Sequence, residues 1–113
     1  MAGLRVVLEG EYRTWASLAH INRALGAELA ADGELDFRAV DLAAPPDARV
    51  ALAPALAARL TDAAHATRAD VRLRHAWPPA FERRDETRFA ICLPWEFGEL
   101  PIAWSPVDRS DLP

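Results

Sequence analysis

An α/β fold built on a short parallel sheet is what this sequence predicts, and three observations carry the prediction. Short apolar runs of strand length alternate with stretches of helical periodicity, the order expected of βαβ units. Two of those runs, Leu4–Leu8 and Arg88–Leu93, are close to continuously apolar, as strands covered on both faces are. The chain has 113 residues, of which 51% are hydrophobic and 27% charged, values that suit one folded domain and argue against disorder.

Taken in order, Leu4–Leu8 (LRVVL) reads as the first strand, and Glu9-Gly10 as the turn that ends it. Leu18, Ile21, Leu25 and Leu29 then recur at three and four residues, which predicts a helix with that stripe toward the core. Thr14 is its expected N-cap, and Asp32-Gly33 its stop. His20, Arg23 and Glu28 fall on the opposite face. Leu35–Leu42 alternates loosely and reads as a second strand. Ala43–Asp47 is a loop because its two prolines remove backbone donors. A second helix is expected over about residues 54–67, from Pro54 in its first turn and from Leu52, Leu56 and Leu60 at spacing four. Val71–His75 alternates as a third strand, ended by Trp77-Pro78-Pro79. Arg88–Leu93 is the fourth strand and Pro94–Gly98 the loop after it. The segment from Ser105 onward reads as a polar tail.

These elements imply a Rossmann-like, three-layer α/β fragment of about four parallel strands in the order 2-1-3-4, with flanking helices. Ligands bind such sheets beyond the carboxyl ends of the strands, near the switch point. The loops after the first, third and fourth strands should therefore share one rim. They carry Tyr12, Trp15, His75, Trp77, Trp95, Glu96 and Phe97. Aromatic side chains beside a histidine and a glutamate suit the stacking of a sugar or nucleotide.

Composition narrows the chemistry. The net charge is −4 and the isoelectric point about 5.3, which speaks against a nucleic-acid binder. All 13 basic residues are Arg, so no lysine is present for a Schiff base or a phosphate loop. Cys92 is the single cysteine, which excludes an internal disulfide and points to a reducing compartment. It sits in an apolar run and reads as a small buried hydrophobe. The N-terminus lacks a signal-peptide pattern, and no apolar run has the ~18 residues of a membrane span, so a cytoplasmic location is expected. His20, His65 and His75 are scattered without ligand spacing, so neither a metal nor another cofactor is expected. No serine sits in a nucleophile elbow. The Arg83-Arg84-Asp85-Glu86 run reads as a solvated turn.

Three segments carry a resemblance: GEYRTWASLAHINRAL at residues 10–25, DVRLRHAWPPAF at 70–81 and FAICLPWEFGELP at 89–101. With these the chain resembles the N-terminal domain of glycosyltransferase family 4-type enzymes of the two-domain GT-B architecture. Such enzymes have a Gly-ended first strand, a Ser-Leu-Ala-x-x-Asn-Arg helix start, an Arg-His-x-Trp-Pro-Pro element and a Pro-Trp-Glu-Phe-Gly loop. The two Trp-Pro elements are the specific part. The resemblance covers most of residues 4–104, which implies a partial acceptor-side domain over 1–104 followed by a tail at 105–113. Two family elements have no counterpart: the helix leading to a Pro-Ser strand end, and the C-terminal domain with its paired glutamates. The resemblance thus implies transfer of a sugar from a nucleotide-sugar to an acceptor hydroxyl, with retention, and an expectation that this chain is inactive alone.

The same resemblance gives residue roles, each beside a plainer one. His75 would sit by the transfer centre; otherwise it is a strand-end histidine bound to a backbone carbonyl. Gly10 and Glu11 would let a phosphate or sugar approach; otherwise they form an ordinary strand–helix turn. Tyr12, Trp77, Trp95, Glu96, Phe97 and Gly98 would line the sugar or acceptor site. Trp77 reads equally as a loop plug on the core, and Glu96 as a partner of Arg74. Ser17, Asn22 and Arg23 would support the neighbouring loops, with Arg23 alternatively meeting an anionic acceptor. A second hypothesis is a non-catalytic interaction module, whose unpaired sheet edge or uncovered apolar face joins a second copy or a complementing C-terminal domain.

Overall fold

The structure is a computed structural model and describes residues 3–92. It is a Rossmann-like α/β fold. Strands β1 (Arg5–Gly10), β2 (Asp36–Asp41), β3 (Leu60–Thr61), β4 (Val71–His75) and β5 (Arg88–Ile91) make one sheet, with helices α1 (Ser17–Ala31) and α2 (Pro54–Ala57). The order is β3-β2-β1-β4-β5, and each neighbouring pair is parallel. The four expected strands therefore lie in the expected relative order, and β3 is an added edge.

That edge replaces most of the expected second helix. After four helical residues the chain extends, and Leu60 and Thr61 pair with Ala39 and Val40 of β2. Pairing gives β2's outer backbone groups partners that a continued helix would not supply. Of the leucine repeat, Leu56 is fully buried, while Leu60 serves the strand. Strand β1 also runs past its expected end. Glu9 and Gly10 are paired ladder residues, not a turn.

Strand alternation gives the sheet two unlike faces. Val6, Leu8, Phe37 and Ala39 share one face and join Tyr12 and Leu56 in an apolar core. Helix α1 packs on this side through the buried Ala19, Asn22 and Gly26, with Leu29 of the expected apolar stripe packed against the core at its far end. The small side chains decide the outcome, because they let the helix come close. A Cβ on Gly26 would lie 3.0 Å from Leu56 Cδ1 and 3.1 Å from Tyr12 Cε1. Ile21 and Leu25 consequently stay 48% and 38% exposed. The N-terminal end of α1 also differs from expectation, while its stop falls at Asp32-Gly33 as expected. Ala16, not Thr14, is the N-cap and has no side-chain bond to offer. At the other end the Asp32 carboxylate accepts the Glu34 N–H at 2.9 Å, so an Asx turn stops the helix without a left-handed glycine.

The other face holds a layer of buried charge. Val7 and Val40 pack there on Ala66 and Ala69, and the neighbouring strand positions are Glu9, Arg72 and Arg74. Glu9 Oε1 accepts from Arg74 Nη2 at 2.9 Å and Nε at 3.2 Å. The other Arg74 terminal nitrogen, Nη1, donates to the carbonyls of Ala80 and Glu82. The guanidinium also lies 4.7 Å from the Phe89 ring centre. Arg72 is fully buried; it donates to the Ala66 carbonyl at 2.6 Å and pairs with Glu86 at 3.5 Å, Glu9 at 3.6 Å and Asp85 at 3.3 Å. Glu86 is 8% exposed, so it is a core counter-charge and not part of a solvated turn.

Candidate functional site

In this strand order the chain moves outward from β1 to β3 and then returns beside β1 as β4. The β1–β4 boundary is therefore the switch point, and its last pair is Gly10 and His75. Asn22 of α1 lies directly beneath that pair. Its Nδ2 donates to the Glu11 carbonyl at 3.0 Å and the His75 carbonyl at 3.1 Å, and its Oδ1 lies 2.8 Å from His75 Nδ1. The glycine is required by space. A Cβ on residue 10 would lie 2.3 Å from the His75 carbonyl oxygen and 2.4 Å from Asn22 Nδ2. Asn22 itself thus fills the cradle that Gly10 opens.

His75 is 7% exposed, and burial lowers its pKa from the ordinary histidine value. Burial thus favours the neutral imidazole. Arg23, one residue past Asn22, donates to the carbonyls of Tyr12 and Thr14, the latter at 2.8 Å. The β1–α1 loop is thereby tied to the helix at Glu11, Tyr12 and Thr14. Asp41, at the end of β2, holds the same loop from its other side. Its Oδ1 accepts from Tyr12 N–H, and its Oδ2 from Arg13 Nε at 2.8 Å. Arg13, Asp41, Leu60, Thr61 and Asp62 line a shallow cleft along these strand ends.

The other candidates fall in different places. Tyr12 does not face a ligand. It is fully buried, its hydroxyl donates to the Leu8 carbonyl at 2.8 Å, and burial together with the Asp41 and Glu9 carboxylates pushes its phenol pKa up. Trp77 follows β4 and is 51% exposed. Trp15 is exposed, and its ring N–H donates to Asp47 at 2.9 Å. Ser17 opens α1 on its exposed side. Trp95, Glu96, Phe97 and Gly98 lie outside the described residues, as does the 104/105 boundary. Arg74 takes Glu9 as its carboxylate partner. Cys92 is exposed just past β5 rather than buried within it, and its thiol pKa is raised by partial burial. His65 lies in the loop after β3, not on a helix, and pairs with Asp62 at 2.7 Å.

Among the described residues no cluster could hold a metal ion, and no helix is long and apolar enough to cross a membrane. Sequence reading missed the Glu9–Arg72–Arg74–Glu86 layer. Its signal was present: Arg72 and Arg74 interrupt a strand assigned to the sheet interior, and Glu9 directly follows an apolar strand. Comparison of the chain with protein-family models, curated proteins and solved structures returned no match.

Proposed function

We propose that this chain is the acceptor-side part of a GT-B-type glycosyltransferase, taking part in sugar transfer from a nucleotide-sugar to an acceptor hydroxyl. The observation that carries the reading is the Gly10–Asn22–His75 arrangement. It sets a neutral histidine at the carboxyl end of β4, beside the end of β1, where Rossmann-like sheets bind ligands. The segments around Gly10 and His75 are also the ones that carry the sequence resemblance. In this reading His75 and the exposed Trp77 hold a sugar ring or acceptor hydroxyl in place, which is catalysis by positioning. The nucleotide-sugar is held by a second domain.

Titration of the isotope-labelled chain with glucose, mannose and galactose tests this. Amide shifts are expected at Gly10, Glu11, His75 and Trp77 with at least one hexose, at millimolar affinity. Calorimetry with UDP- and GDP-sugars should show no sub-micromolar binding. Absence of any hexose response at these residues, or tight binding of a nucleotide-sugar to this chain, would overturn the reading.

The exposed face of α1 favours a second reading, an interaction module that joins another copy or a complementing chain. Ile21 and Leu25 are four residues apart on one side of the helix, and Trp15, 67% exposed, lies just before it. Size-exclusion chromatography with light scattering should then show a dimer that Ile21→Glu dissociates. A monomer at high concentration would discard self-association.

A further inference from the structure

The Asn22 side-chain amide has only one orientation compatible with its neighbours. One end lies within hydrogen-bond distance of two backbone carbonyls, those of Glu11 and His75. Carbonyl oxygens only accept, so that end must be the NH2 group. The other end is then the oxygen, and it faces His75 Nδ1 at 2.8 Å. An oxygen there requires a hydrogen on Nδ1. A neutral imidazole has a single N–H, so placing it on Nδ1 leaves Nε2 with a lone pair.

We propose that Asn22 is a positioning residue that locks His75 in its Nδ1–H form, so that Nε2 meets a ligand as a hydrogen-bond acceptor. The group recognised is then a donor, such as the O–H of a neutral polyol. A phosphate or carboxylate oxygen would bring a lone pair against a lone pair. The choice of a sugar hydroxyl as the donor rests on the function proposed above; the tautomer does not. Gly10 belongs to the same device, because any larger residue there would displace the Asn22 amide.

Long-range proton–nitrogen correlation spectra of the isotope-labelled wild-type chain at neutral pH read the tautomer directly. The expected pattern is a protonated-type shift at Nδ1 and an unprotonated-type shift at Nε2. The reverse pattern, or the averaged shifts of two exchanging tautomers, overturns the proposal. In Asn22→Leu, which offers no acceptor, averaged shifts are expected; a pure Nδ1–H form in that folded variant shows that Asn22 is not the lock and overturns the proposal. Should Asn22→Leu fail to fold, the wild-type spectrum still decides, and Asn22→Asp, whose carboxylate can accept the same bond, should keep the Nδ1–H form. An Nε2–H form in folded Asn22→Asp counts against the proposal. A wild-type chain with the Nδ1–H tautomer and no response to hexoses overturns the sugar reading alone. A hexose response with the opposite tautomer overturns the lock alone.

Discussion

Glu9→Ala is expected to lower the stability of the fold by about 3–5 kcal/mol, the usual loss when one partner of a buried ion pair is removed. Glu9 is 1% exposed, and two arginines depend on it, Arg74 at 2.9 Å and Arg72 at 3.6 Å. Without it their charge is offset, among the described residues, by Glu86, 3.5 Å from Arg72, and by the partly exposed Asp85. Arg72→Met makes the converse test, because it strands Glu86, while Arg72→Met with Glu86→Leu removes a charge of each sign. The double variant should lose clearly less than the sum of its single variants, since neither remaining position holds a stranded charge. Urea denaturation checks both statements through a shift in midpoint at constant slope. A loss below about 1 kcal/mol for Glu9→Ala would place these charges in an environment as forgiving as the surface.

Gly10→Ala is the second large effect, expected at roughly 3 kcal/mol from overpacking together with lost buried hydrogen bonds. The added methyl would lie 2.3 Å from a backbone oxygen of β4 and 2.4 Å from the Asn22 amide. Strand pairing fixes the first neighbour, so Asn22 has to move. The Asn22 bonds to the His75 carbonyl at 3.1 Å and to the His75 ring at 2.8 Å should break together. The predicted signature is therefore local as well as global: loss of the Asn22 side-chain NH2 signals from their wild-type position in the folded fraction. Gly33→Ala is the control. A Cβ there meets nothing within 4 Å, and its backbone is not left-handed, so stability should stay level or rise slightly.

What the sequence made legible and what it hid have separate physical causes. The sheet was legible because apolar runs such as Val6-Val7-Leu8 and Phe89-Ala90-Ile91 mark strands largely withdrawn from water, β1 on both faces and β5 chiefly through Phe89 and Ile91. The packed face of α1 was legible only at Leu29, because periodicity of large apolar residues assumes that size decides burial. Here Ala19, Asn22 and Gly26 decide it by permitting close approach. The short second helix was misread for a related reason: Leu56 and Leu60 have helical spacing, but β2 offered the latter a strand partner that no local pattern encodes. At the site, topology alone placed the Gly10 turn and the strand end at His75 on one rim, but not their pairing. The part of Asn22 could be named only as loop support, since two carbonyls and a ring nitrogen converge on it from positions 11 and 75. Tyr12 was misplaced because an aromatic in a strand–helix loop can turn either way, and the Leu8 carbonyl turns this one inward.

The charged layer beneath the sheet also shapes how the fold responds to temperature. Exposing apolar surface on unfolding raises heat capacity by about 0.45 cal/K/mol per Å², whereas exposing polar surface lowers it by about 0.26. Glu9, Arg72, Arg74 and Glu86 occupy interior volume that Val or Leu would otherwise fill. Each therefore subtracts from the heat-capacity change that an all-apolar core of the same size would have. The stability curve is correspondingly shallower, so the fold weakens less on cooling than its share of hydrophobic residues implies.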